Sequence, residues 1–375
     1  MAERLLQHAE FICAPMVRGS ELPFRMMVRK HGVKLCYSPM VKSELLVKGY
    51  AGELALLDTC PEDRPLVVQL SGRDPGTLRM ACQVILEKIP DVDAVDFNLG
   101  CPQECASKGK YGAFLLEEPS VTEDCVKALC ESLPSTVPVF CKIRRAETIE
   151  ETIKYGRLLE HSGCKLLAIH CRLRKDKHAS VPDYSFAKAL VENLGIPIVA
   201  NGGINSRGMA RKVMEKTGCV GCMVATELLR NPKCGTLGDS TPPDPASLAL
   251  EYLYFCEKYP PPSSLYIRKH LRWIFRMELE PSMHDSSRSF SEAVESEGGW
   301  RIKLWTFLVR PYLDSLWQFR KLIEYYQYMA SGVDFRPKAD YNPPTLRSIK
   351  AGFEYNSDGQ TEPGNEETGI GNLFI

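Results

Sequence analysis

Residues 94–103 read Ala94-Val95-Asp96-Phe97-Asn98-Leu99-Gly100-Cys101-Pro102-Gln103. A short apolar, β-prone run ends in a large hydrogen-bonding side chain, and Gly and Pro then box a cysteine. Similar runs lie on either side, at Phe11–Ala14, Lys34–Tyr37, Leu66–Gln69, Val139–Lys142, Leu166–His170, Ile198–Asn201 and Gly221–Ala225, which makes eight. Helical periodicity fills most of the gaps, as at Pro75–Lys88, Ser120–Leu133, Ile149–His161, Tyr184–Leu194 and Ser206–Lys216. Strand alternating with helix predicts βα units and a parallel sheet. Eight units over roughly 215 residues fit an α/β fold of the (β/α)8 TIM-barrel class, with a doubly wound open sheet as the competing arrangement. In a barrel the active site lies at the carboxyl ends of the strands. Here those ends carry Gln69, Asn98, Lys142, His170 and Asn201, a constellation beyond ordinary loop polarity.

The chain has 375 residues, and its 47 Lys and Arg balance its 47 Asp and Glu. Net charge therefore gives no sign of a nucleic-acid partner, but charge is unevenly distributed. Residues 264–276 read SLYIRKHLRWIFR, with Arg268, Lys269, Arg272 and Arg276, one histidine, no acid, and Tyr266, Trp273 and Phe275 interleaved. On a helix this gives one basic and one apolar face, suited to a phosphate backbone or, more plainly, to an ordinary surface helix. The barrel is expected over residues 1–237, with a linker at 238–244 (GDSTPPD) and a smaller all-helical domain over 245–331. Its helices are expected at Leu248–Tyr259, Leu265–Leu279 and Ile302–Met329, the last interrupted at Pro311, with a polar insertion at Ser286–Gly299. Residues 333–375 lose periodicity and turn acidic, which reads as a disordered tail.

Fifteen cysteines are scattered rather than clustered. Without a secretory leader or an apolar run of ~18 residues, they read as reduced thiols of a soluble cytoplasmic or nuclear protein. No strong dimerisation signal stands out, so a monomer is expected. Cys219-Val220-Gly221-Cys222 lacks a second Cys or His pair, so no metal site is expected. Cys101, on a rigid loop over the barrel mouth, suits a nucleophile or a general acid, against the plainer reading of a buried small residue. Asn201-Gly202-Gly203 bares backbone N–H groups that suit an anion, although glycine after a strand is also common turn chemistry. Alternation puts Lys142 with Arg144, and His170 with Arg172, on one side of their strands. No G-x-G-x-x-G or P-loop follows any strand.

Further motifs join these: CAPMVR at 13–18, LCYSPM at 35–40, VVQL at 67–70, DFNLGCPQ at 96–103, KGKYGAFL at 108–115, CKIR at 141–144, IHCR at 169–172 and VANGGI at 199–204. The ordered set resembles the tRNA-dihydrouridine synthase family. CPEDRP at 60–65, NLGCPQ and KGxYGAFL look like its eukaryotic 16/17 branch, which we favour, whereas CAPMVR and LPFR at 22–25 lean toward the 20a/20b branch. The resemblance implies FMN, reduced by NADPH or NADH, and reduction of the uridine C5–C6 double bond in tRNA. It places Cys101 as the acid that protonates C5, which requires a thiol rather than a thiolate. FMN falls to Pro15, Met16, Val17, Gln69, Lys142, His170, Asn201, Gly202 and Gly203. Lys142 suits the N1–O2 edge of the reduced ring. Ala225 and Thr226 stand where the family often has Gly-Arg, with Glu227 following, and Cys171 stands where it often has Gly. Asn98 and Arg172 are expected at the uracil and a nearby phosphate, and Lys108, Arg144, Arg268, Lys269, Arg272 and Arg276 at the RNA. Three rival readings are a 20a/20b-type synthase, an FMN barrel reductase of a free pyrimidine, and a flavin-less tRNA-binding protein.

Overall fold

The computed structural model describes residues 2–176, 180–236, 243–279 and 315–330, with 301, 304, 308 and 313 singly. Among them nine strands form one sheet: β1 Phe11–Cys13, β2 Cys36–Tyr37, β3 Val41–Lys42, β4 Leu66–Ser71, β5 Ala94–Leu99, β6 Val139–Arg144, β7 Leu166–His170, β8 Ile198–Asn201 and β9 Gly221–Val224. They run in the order β2-β1-β9-β8-β7-β6-β5-β4-β3, and a β2–β4 pairing closes the ring. Every pairing is parallel. The fold is a closed parallel TIM barrel, and the open doubly wound alternative is set aside.

The expected run Lys34–Tyr37 is shorter and has a continuation. Cys36 and Tyr37 pair with Leu66 and Val67, and Val41 and Lys42 then pair with Leu70 and Ser71 on the same edge of β4. Pro39 lies between them and has no N–H for the ladder, which accounts for the break.

The longer helices around the ring are α1 Leu22–Lys30, α2 Pro75–Lys88, α3 Pro119–Ser132, α4 Ile149–His161, α5 Ser185–Asn193 and α6 Arg207–Thr217. Their ends follow local chemistry. Asp74 accepts from Thr77 N at 2.6 Å at the start of α2, and Thr148 with Glu151 forms a capping box on α4. Ser206 caps α6, which stops at Gly218 with φ +77°, a left-handed conformation that glycine adopts freely. Every residue of β4, β5, β6, β7, β8 and β9 is buried. This is the near-continuous apolar pattern of a sheet covered on both sides.

The chain divides into two compact units. Among the described residues, one holds 2–228 with 232–236, and the other holds 229–231 with those from 243 to 330. The second contains α7 Pro245–Lys258, α8 Ser264–Leu279 and α9 Leu316–Ala330. Within it the Tyr252 and His270 rings lie 4.4 Å apart, Phe275 meets Tyr326 edge-on at 4.7 Å, and Arg320 bridges to Glu257 at 2.7 Å. The expected helix over 302–329 is not continuous. Leu304 and Leu308 are helical, Leu313 and Ser315 are not, and α9 begins at Leu316. Pro311, the insertion at 286–299, most of the linker and the 333–375 tail lie outside the described residues. No helix among those described is long and apolar enough to cross a membrane.

Candidate active site

A cavity opens among the carboxyl ends of the strands, lined by Pro15, Val17, Met40, Gln69, Asn98, Gly100, Cys101, Lys142, Arg144 and His170. Sheet register explains the grouping. Asn98 pairs with Lys142, Arg144 with His170, and His170 with Asn201, so polar side chains from successive strands come level. Asn201 does not line the cavity. Its Nδ2 donates to Met223 O at 2.8 Å and ties β8 to β9.

The loop after β5 is held from several directions. Asn98 Oδ1 accepts from Gly100 N at 3.2 Å and from Cys101 N at 3.0 Å. Arg144 Nε donates to Gly100 O at 2.9 Å, and Ala113 N donates to Cys101 O at 3.1 Å. Gly112, at φ +65°, leaves room for Cys101, since a Cβ there would lie 2.9 Å from Cys101 Cβ. Cys101 is 5% exposed and packs with Met40 and Ala106, beside Val17, Tyr111 and Phe114. The nucleophile-or-acid position and the buried-residue reading thus describe one thiol, packed on one side and bordering the cavity on the other.

Burial dominates the electrostatics. It lowers Lys142 to about 8, with Arg144 adding repulsion and Asp96 opposing. It also lowers Arg144 to about 10. Burial pushes the Asp96 carboxyl up to about 7, against the Gln69 hydrogen bond and the Lys142 charge. Two cations facing the cavity with one weakly acidic carboxyl behind them suit a ligand that carries or acquires negative charge.

The sequence profile described as Dihydrouridine synthase (Dus) matches residues 12–280 of this barrel-bearing chain. The chain belongs to the dihydrouridine synthase family. It is 39% identical to the rat "tRNA-dihydrouridine(16/17) synthase [NAD(P)(+)]-like" over 281 residues, which covers 74% of this chain and 62% of that protein. It is 38% identical to the tRNA-dihydrouridine(16/17) synthase of Schizosaccharomyces pombe, covering 59% and 56%. To the human "tRNA-dihydrouridine(20a/20b) synthase [NAD(P)+]-like" it is 35% identical, covering 62% and 72%. The chain therefore spans less than two thirds of the length of the rat relative.

The other positions assigned through this family fall as follows. Pro15 and Val17 line the cavity, whereas Met16 is buried with its N–H donating to Ser20 Oγ at 3.0 Å. Gly202 and Gly203 take φ +116° and +71° beside the cavity. A Cβ on Gly202 would lie 3.6 Å from His170 Nε2, and one on Gly203 would lie 3.5 Å from Arg172 Nη2. Arg172 Nε donates to Ser180 O at 2.6 Å. Ala225 and Thr226 follow β9, half-buried and outside the cavity lining. The family's usual glycine position holds Cys171, fully buried, with its thiol raised by burial.

The side chains expected at the RNA differ in exposure. Only Lys108 is a well exposed side chain, and it pairs with Glu104 at 2.9 Å. Arg144 is buried, bracing Gly100 and reaching the cavity rather than an outer surface. Arg268 is 8% exposed, and Lys269, Arg272 and Arg276 are half-buried, with Arg276 lying over the Trp273 ring at 4.7 Å. The basic stripe of α8 is therefore no open cationic face. Sequence reading also misses Tyr184, whose hydroxyl donates to Gly202 O at 2.5 Å, and Asp96, whose Oδ2 accepts from Gln69 Nε2 at 2.7 Å. Asp96 was legible, since it stands two residues before Asn98 and so shares its side of the strand.

Proposed function

We propose that this chain is the working part of a tRNA-dihydrouridine synthase that uses FMN and NADPH or NADH and acts on the D-loop, at positions 16 and 17. The observation that carries the reading is the placement of the Cys101 thiol on the rim of a cavity that also bears Lys142, His170, Gln69 and Asn98. The residues suit the cofactor. Gln69 gives one amide hydrogen to Asp96 and Asn98 gives one to Gln69, so each keeps a second, and Lys142 adds an ammonium, a donor set matched to the carbonyl-rich edge of a flavin. Gly202 and Gly203 have no side chains of their own to cover their backbone, beside Pro182 and Arg172, which suits it to the flavin's phosphate.

FMN bound there would supply the hydride to uridine C6. The protein supplies the rest. Cys101, fixed by Asn98 and Gly112, holds the proton for C5. Lys142 stabilises negative charge on the ring edge, and His170 shares that wall. The 1–237 region is the catalytic barrel, and 245–331 is the domain that grips tRNA. A uridine stacked in folded tRNA must be extruded to reach the cavity, as in other enzymes that act on bases.

The test is direct. Purified protein should be yellow, bleach with NADPH, and regain colour faster with unmodified tRNA than with free uridine, leaving dihydrouridine at positions 16 and 17 of the tRNA. Recovery with a free pyrimidine as fast as with tRNA contradicts the reading, as does a colourless protein that binds tRNA.

A further inference from the structure

An ordered chain of hydrogen bonds runs under the cavity. Gln69 Nε2 donates to Asp96 Oδ2 at 2.7 Å, Asn98 Nδ2 donates to Gln69 Oε1 at 2.9 Å, and Asn98 Oδ1 accepts the N–H groups of Gly100 and Cys101. Its two ends leave the amides no choice. A backbone N–H can only donate, and a carboxylate can only accept. Turning either amide over would set like against like at both of its contacts, inside a buried site where unmade hydrogen bonds are costly. Asp96 lies on β5 directly opposite Gln69 on β4, and both side chains are buried. Its Oδ1 has no partner among the described residues, so a proton taken up by the carboxyl sits there and leaves Oδ2 an acceptor.

We propose that Asp96 is a positioning residue that sets the hydrogen-bond polarity of the site. It fixes Gln69 and Asn98 as donors toward the cavity, so that the ligand must present carbonyl oxygens there. The inference deepens the proposed function and rests on it for the identity of that ligand. Asp96 touches neither cofactor nor substrate in this scheme. It acts through Gln69, and through Gln69 on Asn98 and the Cys101 loop.

The experiment titrates the full chain, stripped of flavin, with FMN and follows the quenching of FMN fluorescence, with thermal melting of each variant alongside. Asp96→Asn still offers an acceptor and should hold FMN within about threefold of the wild type. Asp96→Leu offers none, and FMN affinity should fall about tenfold or more. The double variant Asp96→Asn with Gln69→Glu moves the carboxylate from one strand to the next. Net charge and every donor–acceptor pair survive, Asn98 keeps its acceptor, and the chain should melt like the wild type. The group facing the ligand at position 69 becomes an acceptor, however, so FMN affinity should again fall about tenfold or more.

A double variant that binds FMN within about twofold of the wild type overturns the inference. So does one that no longer melts cooperatively, because each hydrogen bond that links positions 96, 69 and 98 has its counterpart in it. If Asp96→Leu does not fold, the double variant decides alone. Wild-type chain that takes up no FMN refutes the proposed function, and this inference with it. Wild-type binding with the double variant unaffected refutes this inference only.

Discussion

Gly112 lies so close to Cys101 that a Cβ on it would stand 2.9 Å from Cys101 Cβ and 3.0 Å from Cys101 O. The KGKYGA segment therefore serves the site sterically. It returns under the Cys101 loop, donates Ala113 N to Cys101 O, and needs a left-handed glycine at the point of approach. Gly112→Ala should cost ~1–3 kcal/mol in backbone strain and displace the thiol. We expect a lower melting temperature, FMN affinity close to wild type, and turnover on tRNA reduced about tenfold or more. A variant with wild-type turnover would remove Gly112 from the account.

Arg25 and Asp63 form a buried, two-pronged pair, with Arg25 Nε and Nη2 donating to Asp63 Oδ2 at 2.9 and 2.7 Å and neither side chain exposed. Arg29 Nε adds a bond to Oδ1 at 2.8 Å. Two segments that lean toward different family branches, LPFR at 22–25 and CPEDRP at 60–65, are thus halves of one contact. Asp63→Asn should destabilise the chain by ~3–5 kcal/mol, because it leaves a buried guanidinium uncompensated. Burial alone would raise the Asp63 carboxyl, but Arg25 and Arg29 outweigh it and hold the group below 3.8. A folded pKa below the unfolded one gives stability that is present above the ordinary value and lost as pH falls through the folded value. The gap between wild type and Asp63→Asn in urea unfolding should therefore be steady at neutral pH and close below about pH 4.

Lys142, lowered to about 8 by burial and by Arg144, carries its charge at neutral pH and loses it just above. If that charge stabilises the anionic edge of a reduced flavin, turnover should fall as pH rises through about 8. In Lys142→Gln, turnover should be low throughout and the alkaline limb absent. A pH profile measured with saturating tRNA and nicotinamide checks this. An unchanged limb in the variant would assign it to another group.

Much of the barrel was legible because its signals are local. All eight expected strand runs recur with ends that agree or shift by no more than two residues, and Asp74, Thr148 and Ser206 cap helices as their residue types require. The short β3 was not legible, since two residues carry no periodicity and only pairing with β4 defines them. The four strand-end side chains in the cavity were legible from polarity at the ends of apolar runs, while Asn201 stands outside the lining and shows that the same polarity also serves to tie strands together. Helix α8 shows where sequence pattern fails. Charge and period identify two faces but not which one is covered, and Arg268 proves buried.

Arg268 should accordingly behave as a structural residue. Arg268→Gln should lower the melting temperature while changing the salt dependence of tRNA binding less than removal of an exposed phosphate contact, worth a slope change of about 1. A variant with wild-type stability and that full loss of salt slope would restore Arg268 to the RNA surface.

A Cys101 that gives its proton to the substrate serves the second half-reaction and not the first. Cys101→Ala protein should be loaded with FMN, reduced with NADPH, freed of excess nicotinamide, and mixed with unmodified tRNA while the return of flavin absorbance is followed in a single turnover. FMN content and reduction by NADPH should match the wild type, with reoxidation by tRNA slowed ~10²–10⁴-fold, the usual worth of a positioned general acid. Reoxidation by tRNA at the wild-type rate would contradict that role.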